Sequence, residues 1–454
     1  MRKHYTPDQI AQILAQWVPA DAQHILEPAV GNGALLLPLL DRDCSKLKSI
    51  VCVDTDATAL TTTKSLLRPR LGKALKLNNS DFLELNFRRA KLVPAEGFDC
   101  VILNPPFAGR VWAPSVFLGP SRASLNDLAM QIETAFLYKS ISLLRPGGRL
   151  LAVIPASIAT SDSGEGIRRF MIASGSIDVI YELPEHCFPG VEARVHLLVF
   201  TKGTSDNYCI RLVRWDASEL DSVTLDAQAL ASSSRFDFSF HQAMRLYEQL
   251  QSRQELGWMA LSEVATVKRG KRKSPEGHKD AIHTTDYRLG FWYSSRVKKQ
   301  SGDDVAHKTD IIVARVGRSC LTSFGLLNGE PASLTDCLLR IRPKNPEQLI
   351  PILYSLRSLL QVNHFPSLLR RGGGAQYITS KDLASLAIPM KLATEYSSDF
   401  RDYRCFVEQR SFSSMVECES KVAARMQNEQ ANSDQVIVHS GRHVLGGQFA
   451  GAMR

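Results

Sequence analysis

Asn104-Pro105-Pro106-Phe107 is the stretch of this sequence whose residue types could converge on one reacting atom. Two successive prolines remove two backbone N–H donors and fix φ, so the peptide is stiff. The Asn104 side-chain amide and the Pro105 carbonyl can then be aimed at a single point, with Phe107 offering a flat face beside them. Such a group suits a planar amine, for example the exocyclic amine of a nucleobase, because two acceptors take its two hydrogens while the ring stacks. A proline-stiffened turn with no chemistry would use the same residues. The surrounding elements decide between these readings.

The tetrapeptide follows the apolar run 98–103, which reads as a buried strand, so it falls on the loop at a strand's carboxyl end, where open α/β sheets hold their ligands. Earlier in the chain a strand at 24–26 runs into Glu27-Pro28-Ala29-Val30-Gly31-Asn32-Gly33, with an apolar helix expected through Leu40. A strand, a glycine turn and a helix open a nucleotide-binding fold. Leu36 occupies the place of the third glycine of the dinucleotide pattern, which argues against a pyrophosphate cofactor. The next strand ends at Asp54, placed to accept hydrogen bonds from both hydroxyls of a ribose, while Asp56 reads as a helix N-cap. After a third strand, Asp81-Phe82 could meet an adenine by its amino edge and its face. Upstream, Thr6-Pro7-Asp8 reads as a helix start with the Thr6 hydroxyl as cap.

Residues 108–130 read as a long functional loop. A helix from Ile132 and a strongly apolar strand at 149–155 follow. Strands at 177–183 and 195–200 then bracket Cys187-Phe188-Pro189-Gly190 and are expected as an edge hairpin with an aromatic at its tip. Alternating strands and helices predict an α/β class with a Rossmann-like, mainly parallel sheet. The expected division is a catalytic domain over 1–205, a Ser/Asp/Ala-rich linker over 206–234, an α+β domain over 235–390, and a C-terminal helix with a disordered tail over 391–454.

The 454 residues carry a formal net charge of +9 and nine scattered cysteines, none spaced CxxC. No apolar run is long enough for a membrane span or a signal peptide, so the expectation is a cytoplasmic protein with reduced thiols and no metal site. Residues 260–390 hold 20 Lys and Arg against 11 Asp and Glu, and so account for the whole cationic excess. Lys268, Arg269, Lys271, Arg272 and Lys273, with Arg370 and Arg371 in a glycine-rich loop, read as phosphate contacts for a polyanion.

Together these residues resemble the gamma-class N6-adenine DNA methyltransferases that use S-adenosylmethionine. His4-Tyr5-Thr6-Pro7 is similar to that family's amino-terminal cofactor motif, and Glu27-Pro28-Ala29-Val30-Gly31-Asn32-Gly33 to its glycine motif. Asp54 matches the ribose acid, Asp81-Phe82 the adenine pair, Asn104 to Phe107 the catalytic loop, and Phe188 the second aromatic that sandwiches a flipped target base. Residues 235–390 resemble, more loosely, a target-recognition domain of type I restriction specificity subunits. The resemblance implies S-adenosylmethionine as cofactor, double-stranded DNA as substrate, and a separate restriction endonuclease or other defence-system subunits as partners. Other targets stay open at this point: a ribosomal RNA base, a protein glutamine, cytosine N4, or a DNA-binding subunit without catalysis.

Overall fold

The computed structural model describes residues 6–42, 45–107, 109–112, 129–188, 194–203, 209–215, 220–233, 235–271, 281–294 and 305–440. Tyr5, Arg272, Lys273, most of the 108–130 loop and residues 441–454 lie outside them; the tail expected from about Met426 is helical as far as Ser440. The chain divides into two units, residues 1–242 with 371–376, and residues 243–370 with 377–454.

Apolar runs of strand length become the sheet of the first unit: β1 (His24–Glu27), β2 (Ser49–Asp54), β3 (Leu75–Asn79) and β4 (Phe98–Leu103). A two-stranded ribbon of β5 (Arg110–Trp112) and β6 (Ala129–Gln131) precedes β7 (Leu144–Pro155), β8 (Gly175–Glu182), β9 (Val195–Lys202), β10 (Cys209–Trp215) and β11 (Leu220–Asp226). Nine of these strands form one sheet in the order β11-β10-β8-β9-β7-β4-β1-β2-β3. From β3 to β7 every neighbour is parallel, and β9 runs antiparallel between β7 and β8. Successive residues of β7 point to opposite faces, so Leu150, Ala152 and Ile154 enter one apolar cluster and Leu151 and Val153 another. The sheet therefore has a core on each face, as the alternating strand and helix pattern requires.

The helices that cover it are α1 (Asp8–Gln16), α2 (Ala57–Leu71), α3 (Ile132–Leu143), α4 (Ala156–Thr160), α5 (Glu165–Ser174) and α6 (Ala227–Ser232). Asp56 caps α2 as expected, its Oδ1 accepting from the Thr58 N–H at 2.8 Å. Asp99 sits inside the apolar run of β4, where it accepts from the Gln23 and His24 N–H groups at 2.9 and 2.7 Å and from Arg145 Nε at 2.5 Å. Burial works against its charge, but these donors outweigh that cost and hold its carboxyl below the usual range. The amino ends of β1 and β4 are thereby fastened together, at the far side from the loops that carry the candidate chemistry.

Several expectations are corrected. The segment 206–234 is no linker: β10 and β11 extend the sheet, and Leu212, Val223 and Leu230 join its core. Because they take the edge, β8 and β9 pair as expected but lie inside the sheet. Arg235-Phe236-Asp237 belongs to the first unit, with Phe236 1% exposed and its N–H donated to Ala159. After the glycine turn the chain forms only a 3₁₀ helix, Leu37–Asp41, with Pro38 in its first turn.

The second unit is α+β. Its six-stranded sheet includes Ala265–Arg269, Ile311–Ala314, Phe324–Asn328 and Leu338–Pro343. Helices Leu349–Gln361, Ser397–Gln409 and Phe412–Ser440 accompany it. The single C-terminal helix expected from sequence is broken where Arg410 adopts a left-handed φ of 55°.

Candidate active site

The chemistry-bearing residues gather at the carboxyl ends of β1, β2 and β4. Asn104 follows β4 directly and is partly buried, Pro105 is buried, and Pro106 and Phe107 are half-exposed. Asn104 Nδ2 donates to Thr6 Oγ1 at 3.0 Å across 98 residues of sequence. Thr6 was expected to cap α1, but the cap position is Pro7, with no side-chain cap bond, and the Thr6 hydroxyl serves Asn104 instead. With Nδ2 engaged by Thr6, Oδ1 is the amide atom that could accept from a ligand.

Asp54 accepts from the Gly31 N–H at 2.7 Å through Oδ2 and from the Asp56 N–H at 2.8 Å through Oδ1. A carboxylate offers about four lone-pair sites, so two remain, one on each oxygen, for a pair of vicinal hydroxyls. Gly31 and Gly33 both have positive φ, 51° and 81°, which turns the chain sharply beneath that carboxylate. Thr63 on α2 locks the turn by donating to the Gly31 carbonyl at 2.9 Å, and a Cβ on Gly33 would press on Thr63 at 3.4 Å.

Glu27 is 1% exposed, and its Oε2 has no hydrogen-bond partner. Burial, and secondarily the charge of Asp54, push its carboxyl well above the usual range. Burial thus favours the neutral acid, and the ionised form would need a cation beside it. Pro28 and Ala29 continue the turn, buried and half-buried.

Two aromatic expectations are corrected. Phe82 is 2% exposed, packed edge-on to Phe87 and tilted against Phe136, so it is a core aromatic with no open face. Asp81 is exposed and shapes a turn by accepting from the Leu83 N–H at 2.7 Å. Phe188 is 3% exposed in the same apolar cluster that Phe107 packs against, instead of standing at an open loop tip. Sequence reasoning missed Lys139, whose Nζ donates to the Leu83 and Leu85 carbonyls at 2.9 Å each and lies 5.1 Å from the Phe82 ring centre. Burial lowers its pKa to about 8, against a smaller upward pull from Asp81. Its signal was its place three residues after Phe136 on one face of α3.

In the second unit Lys268 and Lys271 are exposed on and just after the strand Ala265–Arg269. Arg269 Nη2 pairs with Asp336 at 3.0 Å, and Arg315 Nε donates to the Asp336 carbonyl at 2.9 Å. Burial, then the neighbouring Arg269 charge, lowers the Arg315 pKa. Cations are thus crowded around one acid. Arg370 is half-buried, with Nη2 3.5 Å from the Cys320 carbonyl. Arg371 corrects the sequence reading: it is buried within the first unit, donating to the Thr160 carbonyl at 2.8 Å and to Asp162 at 3.0 Å, and does not face solvent as a phosphate contact.

Comparison with known proteins adds the following. The family model described as N-6 DNA Methylase matches residues 1–265. A type II methyltransferase of Thermus thermophilus is 33% identical over 120 residues, a match that covers 24% of this chain and 27% of that relative's length. Among solved structures, the type IIG restriction endonuclease BpuSI has a TM-score of 0.49 at 12% identity, covering 94% of this chain and 67% of that one. The methyltransferase subunit of a type I restriction-modification system from Streptococcus thermophilus has a TM-score of 0.40 at 19% identity, covering 48% and 49%.

Proposed function

The chain belongs to the N-6 DNA methylase family, and from that premise we propose that it methylates the exocyclic N6 of an adenine flipped out of a specific duplex DNA sequence, as the modification enzyme of a restriction or defence system. The observation that carries this reading is the Thr6–Asn104 hydrogen bond, which leaves an acceptor oxygen on a stiff loop at the carboxyl edge of the sheet. The gamma-class order agrees with it, since cofactor-type residues precede the Asn104 loop and the basic half follows.

S-adenosylmethionine, the family's cofactor, supplies an electrophilic methyl group when bound. The residues present suit it on three counts: the two remaining acceptor sites on Asp54, the left-handed Gly31 and Gly33 turn, and the orphaned Glu27 carboxylate. We assign the ribose hydroxyls to Asp54 and the α-ammonium group to Glu27, with Thr6 and Pro7 beside Asn104 and Asp81 toward the adenine edge; Tyr5 lies outside the described residues.

Adenine N6 is a poor nucleophile because its lone pair is conjugated with the ring. Asn104 Oδ1 and the Pro105 carbonyl would accept its two hydrogens and favour a more tetrahedral nitrogen, which frees the lone pair for attack. Phe107 would stack on the extruded base, a contact worth roughly 1–3 kcal/mol. Base flipping is required because the amine cannot reach this loop while it is paired. Lys268, Arg269 and Lys271, with Arg272, Lys273 and Arg370, would position the duplex through its phosphates.

The Glu27 assignment makes a pH prediction. A cation bound beside Glu27 favours its ionised form, so binding releases a proton while the free carboxyl is still protonated. Cofactor affinity should therefore tighten as pH rises from the ordinary carboxyl range toward neutrality, by up to about tenfold per pH unit. Calorimetric titration of Glu27→Gln should give weaker and nearly pH-independent binding. An unchanged pH slope would remove Glu27 from the cofactor site.

The function is tested by long-read sequencing of DNA from a host expressing the protein. Modified adenines in one shared motif are expected. Unmodified DNA alongside a methylated RNA or protein would reject the reading.

A further inference from the structure

The first unit contains a segment that lies far away in sequence, Arg371–Gln376, to which the chain returns after leaving the unit at Gln242. Its bonds reach two places. On one side Arg371 donates to the Thr160 carbonyl and Asp162, and the Gly372 N–H donates to Thr160 Oγ1 at 3.1 Å, at the carboxyl end of α4. On the other, Arg194 gives its N–H to the Gly373 carbonyl and its Nη2 to the Gly372 carbonyl at 2.7 Å. Arg194 in turn accepts from the Ala156 N–H at 2.9 Å. Gln376 Nε2 donates to Glu185 Oε1 at 3.4 Å. Gly373 fits against α4 so closely that a Cβ would lie 3.2 Å from the Ala156 and Ser157 nitrogens.

Glu185 and Arg194 stand on either side of Phe188, in the connection between β8 and β9 whose base is closed by the Leu183 N–H to the Val195 carbonyl at 3.3 Å. The segment thus holds both described ends of the connection that carries Phe188, while its bonds among the described residues go to Thr160, Asp162, Glu185 and Arg194.

We infer that Arg371–Gln376 is a positioning element for the catalytic loop: it clamps to α4 the connection whose Phe188 lies in the apolar cluster that Phe107 packs against, so that methyl transfer depends on a stretch contributed by the C-terminal half of the sequence. The inference rests on the function proposed above for its activity readout only. Arg371→Ala removes the buried guanidinium, and Gly373→Val wedges the segment away from α4 without removing any bonded group. In the full-length protein, both variants should speed amide hydrogen exchange in residues 183–188 at least tenfold and slow transfer of labelled methyl to plasmid DNA at least tenfold. Exchange in residues 24–54 and affinity for S-adenosylmethionine should stay within twofold, and Arg371→Lys should restore part of the loss. Unchanged exchange at 183–188 in both variants overturns the clamp. So does exchange that rises equally throughout the unit, since the segment is then a general support. A wild-type protein that labels no DNA would reject the proposed function, and the exchange experiment would still decide the clamp.

Discussion

Asn104→Ala is expected to slow methyl transfer by roughly 10²- to 10³-fold, the usual cost of losing one preorganised polar contact to a reacting group, while leaving cofactor affinity nearly unchanged. The separation follows from where the side chain stands. Its amide nitrogen is spent on Thr6, and among the described residues it makes no bond to Asp54, Glu27 or the Gly31 turn, so the proposed function gives its oxygen to the group being methylated. The replacement removes one partner from the Thr6 hydroxyl, at a cost of about 1 kcal/mol in stability. Stopped-flow or single-turnover transfer assays beside calorimetric cofactor titration measure both quantities. If cofactor affinity collapses in step with the rate, Asn104 is a cofactor ligand, and the loop has been assigned to the wrong substrate. Thr6→Val is the companion experiment: it frees the amide to rotate and should reproduce part of the same rate loss.

The second large effect is on DNA. Replacing Lys268, Arg269 and Lys271 together by Gln should lower the slope of log affinity against log salt by roughly 2 to 3, since each phosphate contact contributes about 0.9. Affinity should fall by a similar factor for every DNA sequence, because phosphate contacts position the duplex without reading it. Lys268 and Lys271 are exposed, and the Arg269–Asp336 pair is half-exposed, so the fold loses little when their charge is removed. A salt slope identical to that of the unmodified protein would show that the cationic excess of residues 260–390 serves another purpose.

How much of this was legible in the sequence depends on the kind of signal. Strands such as β4 announced themselves because six consecutive buried residues leave a continuous apolar run, and Asp56 because an N-cap needs only its own local backbone. Asn104, Asp54 and the Gly31 turn were legible for the same reason: their placement at strand ends follows from the order of elements along the chain. The burial of Phe82 and Phe188 was not, since an aromatic beside a turn can equally face solvent or core, and only packing decides, against Phe87 and Phe136 for the first and within the cluster that also holds Leu197 and Val199 for the second. β10 and β11 were missed because their interspersed polar residues and serine-rich flanks mimic a linker, although Leu212 and Val223 enter the core on one face of the sheet and Val213 that on the other. Arg371 was misread through its company: in Arg-Arg-Gly-Gly-Gly a charge looks solvated, and the glycines in fact allow the backbone to approach α4.

The central claim is tested most directly by incubating the protein with plasmid DNA and methyl-labelled S-adenosylmethionine, then digesting the DNA to nucleosides for mass spectrometry. The account predicts label on N6 of deoxyadenosine, accumulating roughly a hundredfold or more slowly in the Asn104→Ala reaction. Label on cytosine N4, or label recovered only in RNA or protein, would contradict it.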